Sequence, residues 1–233
     1  MLDVTDLHAH YGRAHILQGV TLRAGEGEVL ALLGRNGAGK STTMKSIMGL
    51  LRPTSGAVRF RGEDIAGREP FEIARRGIGY VPEERRIFTE LSVLENLEVG
   101  RMPAREGLAP WTAERVFALF PSLGAMRKRP GGRMSGGEQQ MLTIGRTLMG
   151  NPRLILLDEP SEGLAPVIIE RMAEAILALK REGLTVLLSE QNLHFARLVS
   201  DRACVLEKGA IRWEGRMEAL MADEAARAQY LTV

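Results

Sequence analysis

One cysteine, Cys204, occurs in the 233 residues, which excludes a disulfide framework and any cysteine-based metal site. Neither sign of charge dominates. With 31 Lys and Arg against 29 Asp and Glu, there is no electrostatic case for nucleic acid, which calls for a clustered basic face. The one basic triplet, Arg127-Lys128-Arg129, precedes Pro130-Gly131-Gly132 and reads as a solvated loop. No apolar run approaches the roughly 18 residues of a membrane span, and the N-terminus lacks a signal-peptide pattern. The expectation is therefore a cytosolic chain whose membrane role, if any, passes through a partner. Internal repeats and low-complexity tracts are also missing. What remains, 45% hydrophobic and 26% charged residues, is a globular composition whose length suits one large domain or one with a sizeable insertion.

Short apolar runs alternate with helical patterns, which argues for a βαβ-type α/β core. "EVLALL" (28–33) reads as a buried strand, followed by a Gly-rich loop and a helix in "KSTTMKSIMGLL". "RLILLD" (153–158) and "LTVLLSE" (184–190) are two more strands whose polar ends come at their C-termini. Between them, "VIIERMAEAILALKREG" (167–183) has apolar residues at helical spacing and ends at Gly183, the pattern of a crossover helix. Cys204, in the strand-like "CVLE", reads as a buried structural thiol. From about Glu84 to Gly150 the pattern turns helical, clearest in "WTAERVFALFPSL" and "EQQMLTIGRTLMG". This suggests a helical subdomain inserted into a single domain spanning 1–233, with core segments at about 1–83 and 151–215. "RMEALMADEAARAQYL" reads as a helical tail within about 216–233.

Three motifs carry chemistry. "GRNGAGKS" places Gly34, Arg35, Asn36, Gly37, Ala38, Gly39, Lys40 and Ser41 between a strand and a helix, the context that confirms a P-loop. Its glycines let successive N–H groups point at phosphate oxygens, and the helix N-terminus adds partial positive charge. Lys40, one of only five lysines, supplies a point charge for the β- and γ-phosphates of ATP. Ser41 offers a hydroxyl to Mg²⁺, and Thr42 a further one toward the phosphates. "LILLDEP" (154–160) ends an apolar strand on Asp158 and Glu159, a costly arrangement unless cations or hydrogen bonds await them. In a P-loop enzyme the first acid holds Mg²⁺ and the second suits a general base for water attacking the γ-phosphate. "MSGGEQQ" opens a helix with Ser135 and Glu138 spaced as a capping box. Gly136 and Gly137 leave that helix start open to an anion. Since one chain holds only one γ-phosphate on its own P-loop, this second surface suits the nucleotide of another subunit.

Together these motifs resemble the ATP-binding cassette (ABC) ATPases over nearly the whole chain, with "SGGEQQ" the discriminating piece. The resemblance implies an α/β fold: a P-loop NTPase (RecA-like) core with the ABC antiparallel β part and an inserted helical subdomain. It implies a head-to-tail dimer with a second ABC ATPase subunit, closing on two ATP molecules and driving transmembrane permease subunits at the cytoplasmic face of the cell membrane. By the same resemblance Tyr11 would stack on adenine, a core tyrosine being the lesser alternative. "SEGLAP" (161–166) matches the loop that communicates across the dimer, with Ala165 where many members carry Asp.

Two positions depart from the family pattern. Where most members have Gln in a segment touching Mg²⁺, "GYVPEERRIF" (79–88) has Glu83, a better metal ligand that adds negative charge. Where the family keeps a switch histidine, "SEQN" places Gln191, which retains a donor for a phosphate oxygen but loses the titratable ring. Glu159 then carries the base role alone, and His194, three positions on, reads as a surface or capped histidine. The joint pattern of "VPEERRIF", "SEGLAP" and "SEQN" is similar to one ATPase of the importers for branched-chain amino acids. Those typically pair two ATPase subunits with two membrane subunits, fed by a periplasmic binding protein; urea and short-chain amide importers are close relatives. The partner surface is expected between Glu83 and Leu97, where Ile87 and Phe88 either receive a short helix of the membrane subunit or belong to the core of the insert. Non-transport ABC ATPases typically carry two cassettes or a long coiled coil, and neither occurs. No Asn-Lys-x-Asp motif supports a GTPase.

Overall fold

The computed structural model describes residues 1–231, so the last two residues of the expected tail lie outside the described part. Strands and helices are numbered in chain order. A four-stranded antiparallel sheet contains β1 (Leu2–Tyr11), β2 (Ala14–Ala24), β4 (Ser55–Phe60) and β5 (Glu63–Asp64), in the order β2-β1-β4-β5. In β1 the buried apolar residues are first Leu2 and Val4, then Leu7 and Ala9. That change of phase needs one extra residue. A β-bulge between Val4 and Leu7, with Asp6 at a φ of +48°, supplies it and keeps both pairs facing the core.

The second sheet has six strands in the order β10-β9-β3-β8-β7-β6. It comprises β3 (Val29–Leu33), β6 (Ile78–Val81), β7 (Leu154–Asp158), β8 (Thr185–Glu190), β9 (Arg202–Glu207) and β10 (Ala210–Arg216). All neighbouring pairs are parallel except β9 with β10. β3, β7 and β8 are buried at every position, as expected for central strands covered on both faces. Alternate residues enter opposite cores. Leu154 and Leu156 pack with α1 (Lys40–Ile47) and the antiparallel sheet, whereas Ile155 and Leu157 pack toward the helices that follow. In β9, burial pushes the Cys204 thiol up to about 12 from its ordinary 9.0, so it stays protonated and inert.

The remaining helices are α2 (Pro70–Arg76), α3 (Val93–Val99), α4 (Ala113–Leu119), α5 (Pro121–Gly124), α6 (Gly136–Leu148), α7 (Pro166–Arg181), α8 (Leu193–Val199), α9 (Met217–Ala222) and α10 (Glu224–Tyr230). α3 to α6 lie between β6 and β7. The run "WTAERVFALFPSL" is not one helix. Phe120 leaves helical geometry at φ −125° and ψ 80°, because the residue before Pro121 is pushed out of the α region. Gly145 lets α6 approach α4, since a Cβ there would lie 2.6 Å from Val116 Cγ1. Among the described residues no helix is long and apolar enough to cross a membrane.

Candidate active site

Parallel pairing gathers the C-terminal ends of β3, β6, β7 and β8 along one edge of the sheet, the position where open α/β sheets bind ligands. The register sets Leu33 beside Glu190 and Asp158 beside Ser189. β3, β6 and β7 therefore hand their loops to the same cleft, and the loop after β8 reaches it through Gln191.

The loop leaving β3 turns at Gly37 and Gly39, with φ of +77° and +110°. A side chain at Gly39 would also meet Leu17 Cδ2 at 2.9 Å. The left-handed Gly39 starts α1 with no side-chain cap, so its first-turn amides have no intrahelical acceptor and face an incoming anion. Lys40 folds back over this loop. Its Nζ donates to Gly34 O at 2.8 Å and Arg35 O at 3.2 Å.

The same Nζ lies 3.0 Å from Glu159 Oε1, and both side chains are buried, at 3% and 7% exposure. Glu159 has a φ of +46°, an uncommon conformation for a side-chain-bearing residue. It is held there by its amide donating to Ser189 O at 3.0 Å. Its second oxygen, Oε2, accepts from Gln191 Nε2 at 3.0 Å.

Asp158 is saturated with hydroxyl donors. Oδ1 accepts from Ser41 Oγ at 3.0 Å and Ser189 Oγ at 2.9 Å, and Oδ2 accepts from Tyr80 Oη at 3.0 Å. Burial and then the Asp158 carboxylate push the Tyr80 phenol well above its ordinary value, so it is a permanent donor. Glu83 is raised by burial, then by the charge of Glu162 and a hydrogen bond with it, then by Glu159 and Asp158. A carboxyl so surrounded by like charge is a natural ligand for an added cation. The donors are hydroxyl and carboxylate oxygens, hard ligands that suit Mg²⁺. Among the described residues, no group of three or more His, Cys, Asp or Glu is disposed to hold a metal unaided.

A cleft of about 400 Å³ joins these groups, with Tyr11, Asn36, Lys40, Thr42, Glu83 and Glu159 among its walls. Tyr11, at the end of β1, is 49% exposed and offers an open ring face rather than a core contact. Ser135, Gly136 and Gly137 do not line this cleft. Ser135 caps α6, accepting from the Glu138 amide at 3.4 Å, while Glu138 Oε2 accepts from the Ser135 amide at 2.7 Å. Gly136 and Gly137 sit where a Cβ would meet Arg85 Nη1 at 2.9 Å and Ile168 Cγ2 at 2.8 Å. His194 is exposed on α8, and the side chain that bonds Glu159 is that of Gln191.

The sequence model of a family described as "ABC transporter" matches residues 17–162. The chain belongs to that family. It is 43% identical to BraG of Pseudomonas aeruginosa, a high-affinity branched-chain amino acid transport ATP-binding protein, over 99% of each chain. It is 35% identical to LptB of Haemophilus influenzae, a lipopolysaccharide export system ATP-binding protein, over 99% of this chain and 97% of that one. The solved ADP conformation of an ATP-binding cassette matches with a TM-score of 0.83 at 30% identity, covering 98% of this chain and 97% of that one. A dimeric bacterial ABC transporter cassette matches with a TM-score of 0.80 at 26% identity, covering 93% and 99% respectively. As an ABC ATPase, the chain binds and hydrolyses ATP in a process coupled to transport. ABC ATPases work as dimers with transmembrane permease subunits.

Three residues of this ABC ATPase's site escaped the sequence reading: Tyr80, Ser189 and Glu190. Tyr80 lies three positions before Glu83, and Ser189 and Glu190 close the strand read as "LTVLLSE". Their proximity to Asp158 and Glu159 arises from strand register, which a linear motif does not display.

Proposed function

We propose that this ABC ATPase powers import of branched-chain amino acids, seated at the cytoplasmic face of the cell membrane on permease subunits. It pairs there with a second ABC ATPase subunit and serves a periplasmic binding protein indirectly. The 43% identity to BraG across 99% of both chains carries this reading.

In the proposed mechanism the Lys40–Glu159 pair is a resting lock. With Lys40 Nζ 3.0 Å from Oε1, the base is engaged by a cation, which lowers its affinity for a proton. The γ-phosphate of bound ATP competes for Lys40 and frees Oε1 to accept a proton from the attacking water. Gln191 keeps its hold on Oε2 and aims the carboxylate. When bound, Mg²⁺ neutralises phosphate charge; Ser41 and Asp158, with Glu83, would hold it. Tyr11 receives adenine, the Gly34–Thr42 segment cradles phosphates, and Ser135, Gly136 and Gly137 reach the nucleotide held by the other subunit.

Glu159→Gln tests the chemistry. Hydrolysis is expected to fall by at least about 100-fold, with ATP binding retained and an ATP-dependent dimer seen by sedimentation. Hydrolysis at the unmodified rate would overturn the base assignment. Loss of leucine, isoleucine and valine uptake in cells lacking this chain tests the substrate class; loss of urea uptake instead would reassign it.

A further inference from the structure

One buried acid beside the reaction site has so far no role. Glu190, the last residue of β8, is 1% exposed. Burial pushes its carboxyl above the ordinary range, opposed by hydrogen bonds from Ser161 and the Asn192 amide. The donors that meet it are peptide amides and the Ser161 side chain. Oε1 accepts from Ser161 N–H at 3.1 Å, and Oε2 accepts from Gln191 N–H at 3.1 Å and Asn192 N–H at 3.0 Å. A strand could end here on an uncharged residue without the cost of burying a carboxylate, so what the acid joins matters.

It joins the two loops that flank Glu159. Ser161 is two residues beyond Glu159 and starts the "SEGLAP" loop; Gln191 is the residue whose side chain grips Glu159 Oε2 at 3.0 Å. Glu159 itself is in a left-handed conformation that its own preferences do not maintain. Its carboxylate is thus located by a ring of contacts running from Glu159 through Ser161, Glu190 and Gln191 back to Glu159. Cutting the ring at Glu190 releases both arms at once.

Building on the base assignment of Glu159, we infer that Glu190 is a positioning residue for hydrolysis, clamping the Ser161 and Gln191 loops together to aim the Glu159 carboxylate. Displacements in the Ser161 loop then reach the base through one rigid acceptor. The hydrogen bonds of Glu190 go to neither the Gly34–Thr42 segment nor Tyr11, and the ring meets that segment only where Glu159 pairs with Lys40, so hydrolysis is expected to respond more than ATP binding.

The test is steady-state ATPase kinetics and ATP binding on Glu190→Gln and Glu190→Asp, with thermal melts alongside. Glu190→Gln keeps the shape but turns an amide NH₂ toward one set of N–H donors, so one arm must let go. Its kcat is expected to fall roughly 10- to 100-fold, the scale of a misplaced reacting group, with KM for ATP within about threefold. Glu190→Asp keeps the charge and is expected to lose less kcat. In a Gln191→Ala background, Glu190→Gln is expected to cost less than it does alone, because the two act through one carboxylate. An unchanged kcat with a lowered melting temperature would make Glu190 a structural cap and overturn the inference. So would independent, fully additive losses, or a rise in KM at constant kcat. If Glu159→Gln proved active, the base assignment itself would fall; an inactive Glu159→Gln with a fully active Glu190→Gln would sink only the clamp.

Discussion

Gln191 and His194 lie three positions apart on the same turn into α8 and both are exposed, yet only Gln191 reaches the acid. The Gln191 amide donates to Glu159 Oε2 at 3.0 Å, whereas His194 stands exposed past the Asn192 cap, whose Oδ1 accepts from Phe195 N–H at 3.1 Å. A hydrogen bond to a charged group contributes about 1.5–3 kcal/mol, which corresponds to roughly a 10- to 100-fold effect if it is fully felt in the transition state. Gln191→Ala is therefore expected to lower kcat within that range. His194→Ala should stay within about twofold, since its ring neither touches the acid nor caps the helix. ATPase assays of both, beside Lys40→Ala as the inactive reference, decide the matter: a His194→Ala loss comparable to Lys40→Ala would exchange the two roles. Gln191 cannot shuttle a proton, so in the proposed mechanism Glu159 alone accepts it, and the Lys40 pairing sets when it is free.

Among the elements, α6 has an observed cap and a proposed contact at one end. Its capping box satisfies first-turn amides, while the same Ser135 and the following glycines, which do not line the chain's own cleft, are proposed to meet the nucleotide of the other subunit. Ser135→Ala removes the cap and should destabilise the isolated chain by about 1 kcal/mol in chemical denaturation. Because Ser135 does not line the P-loop cleft, ATP affinity of the monomer should hold, while the ATP-dependent dimer of the Glu159→Gln background weakens. Equal loss of both would place Ser135 in the chain's own nucleotide site. The strand ends that build that site were legible in the sequence: runs read at 28–33, 153–158 and 184–190 form Val29–Leu33, Leu154–Asp158 and Thr185–Glu190. A continuous apolar run ending in polar residues has few other homes than a central parallel strand. Pairing partners were not legible, because register is a nonlocal outcome. Nothing local to "LTVLLSE" says that Ser189 meets Asp158, or that Glu190 meets the Ser161 amide. The helical segment was the least legible: α4 and α5 share one apolar period, and only the restriction that Pro121 places on Phe120 parts them.

Across the whole molecule, a second cleft of about 490 Å³ opens between α2, β6, α3 and α6, with Leu50, Phe88 and Val99 exposed at 48%, 47% and 56% along it. Ile87 packs against the helical core, so of the two residues considered for a partner surface only Phe88 is presented. The Phe88 backbone is pinned at both ends by Asn96, which accepts from its N–H and donates to its carbonyl at 2.9 Å each. Arg146 lies over the ring at 5.1 Å, held by Arg86 O at 2.8 Å. A preformed aromatic in an apolar groove has the features of an anchor for an inserted helix. Tyr80 connects the groove to the chemistry, lining the cleft while its hydroxyl donates to Asp158 at 3.0 Å. In the proposed importer the permease helix would therefore press on the strand that leads through Pro82, in the groove, to Glu83, in the nucleotide cleft. Removing the Phe88 ring should remove the anchor without disturbing Asp158, Glu159 or Lys40. Phe88→Ala is expected to leave ATP hydrolysis by the isolated subunit within about twofold, and to cut substrate uptake by the assembled transporter at least about 10-fold, since anchor residues typically contribute 2 kcal/mol or more. Uptake and ATPase measured on the same preparation separate the cases: uptake at the unmodified level would remove the groove from coupling, and a parallel fall of both would return Phe88 to the architecture of the active site.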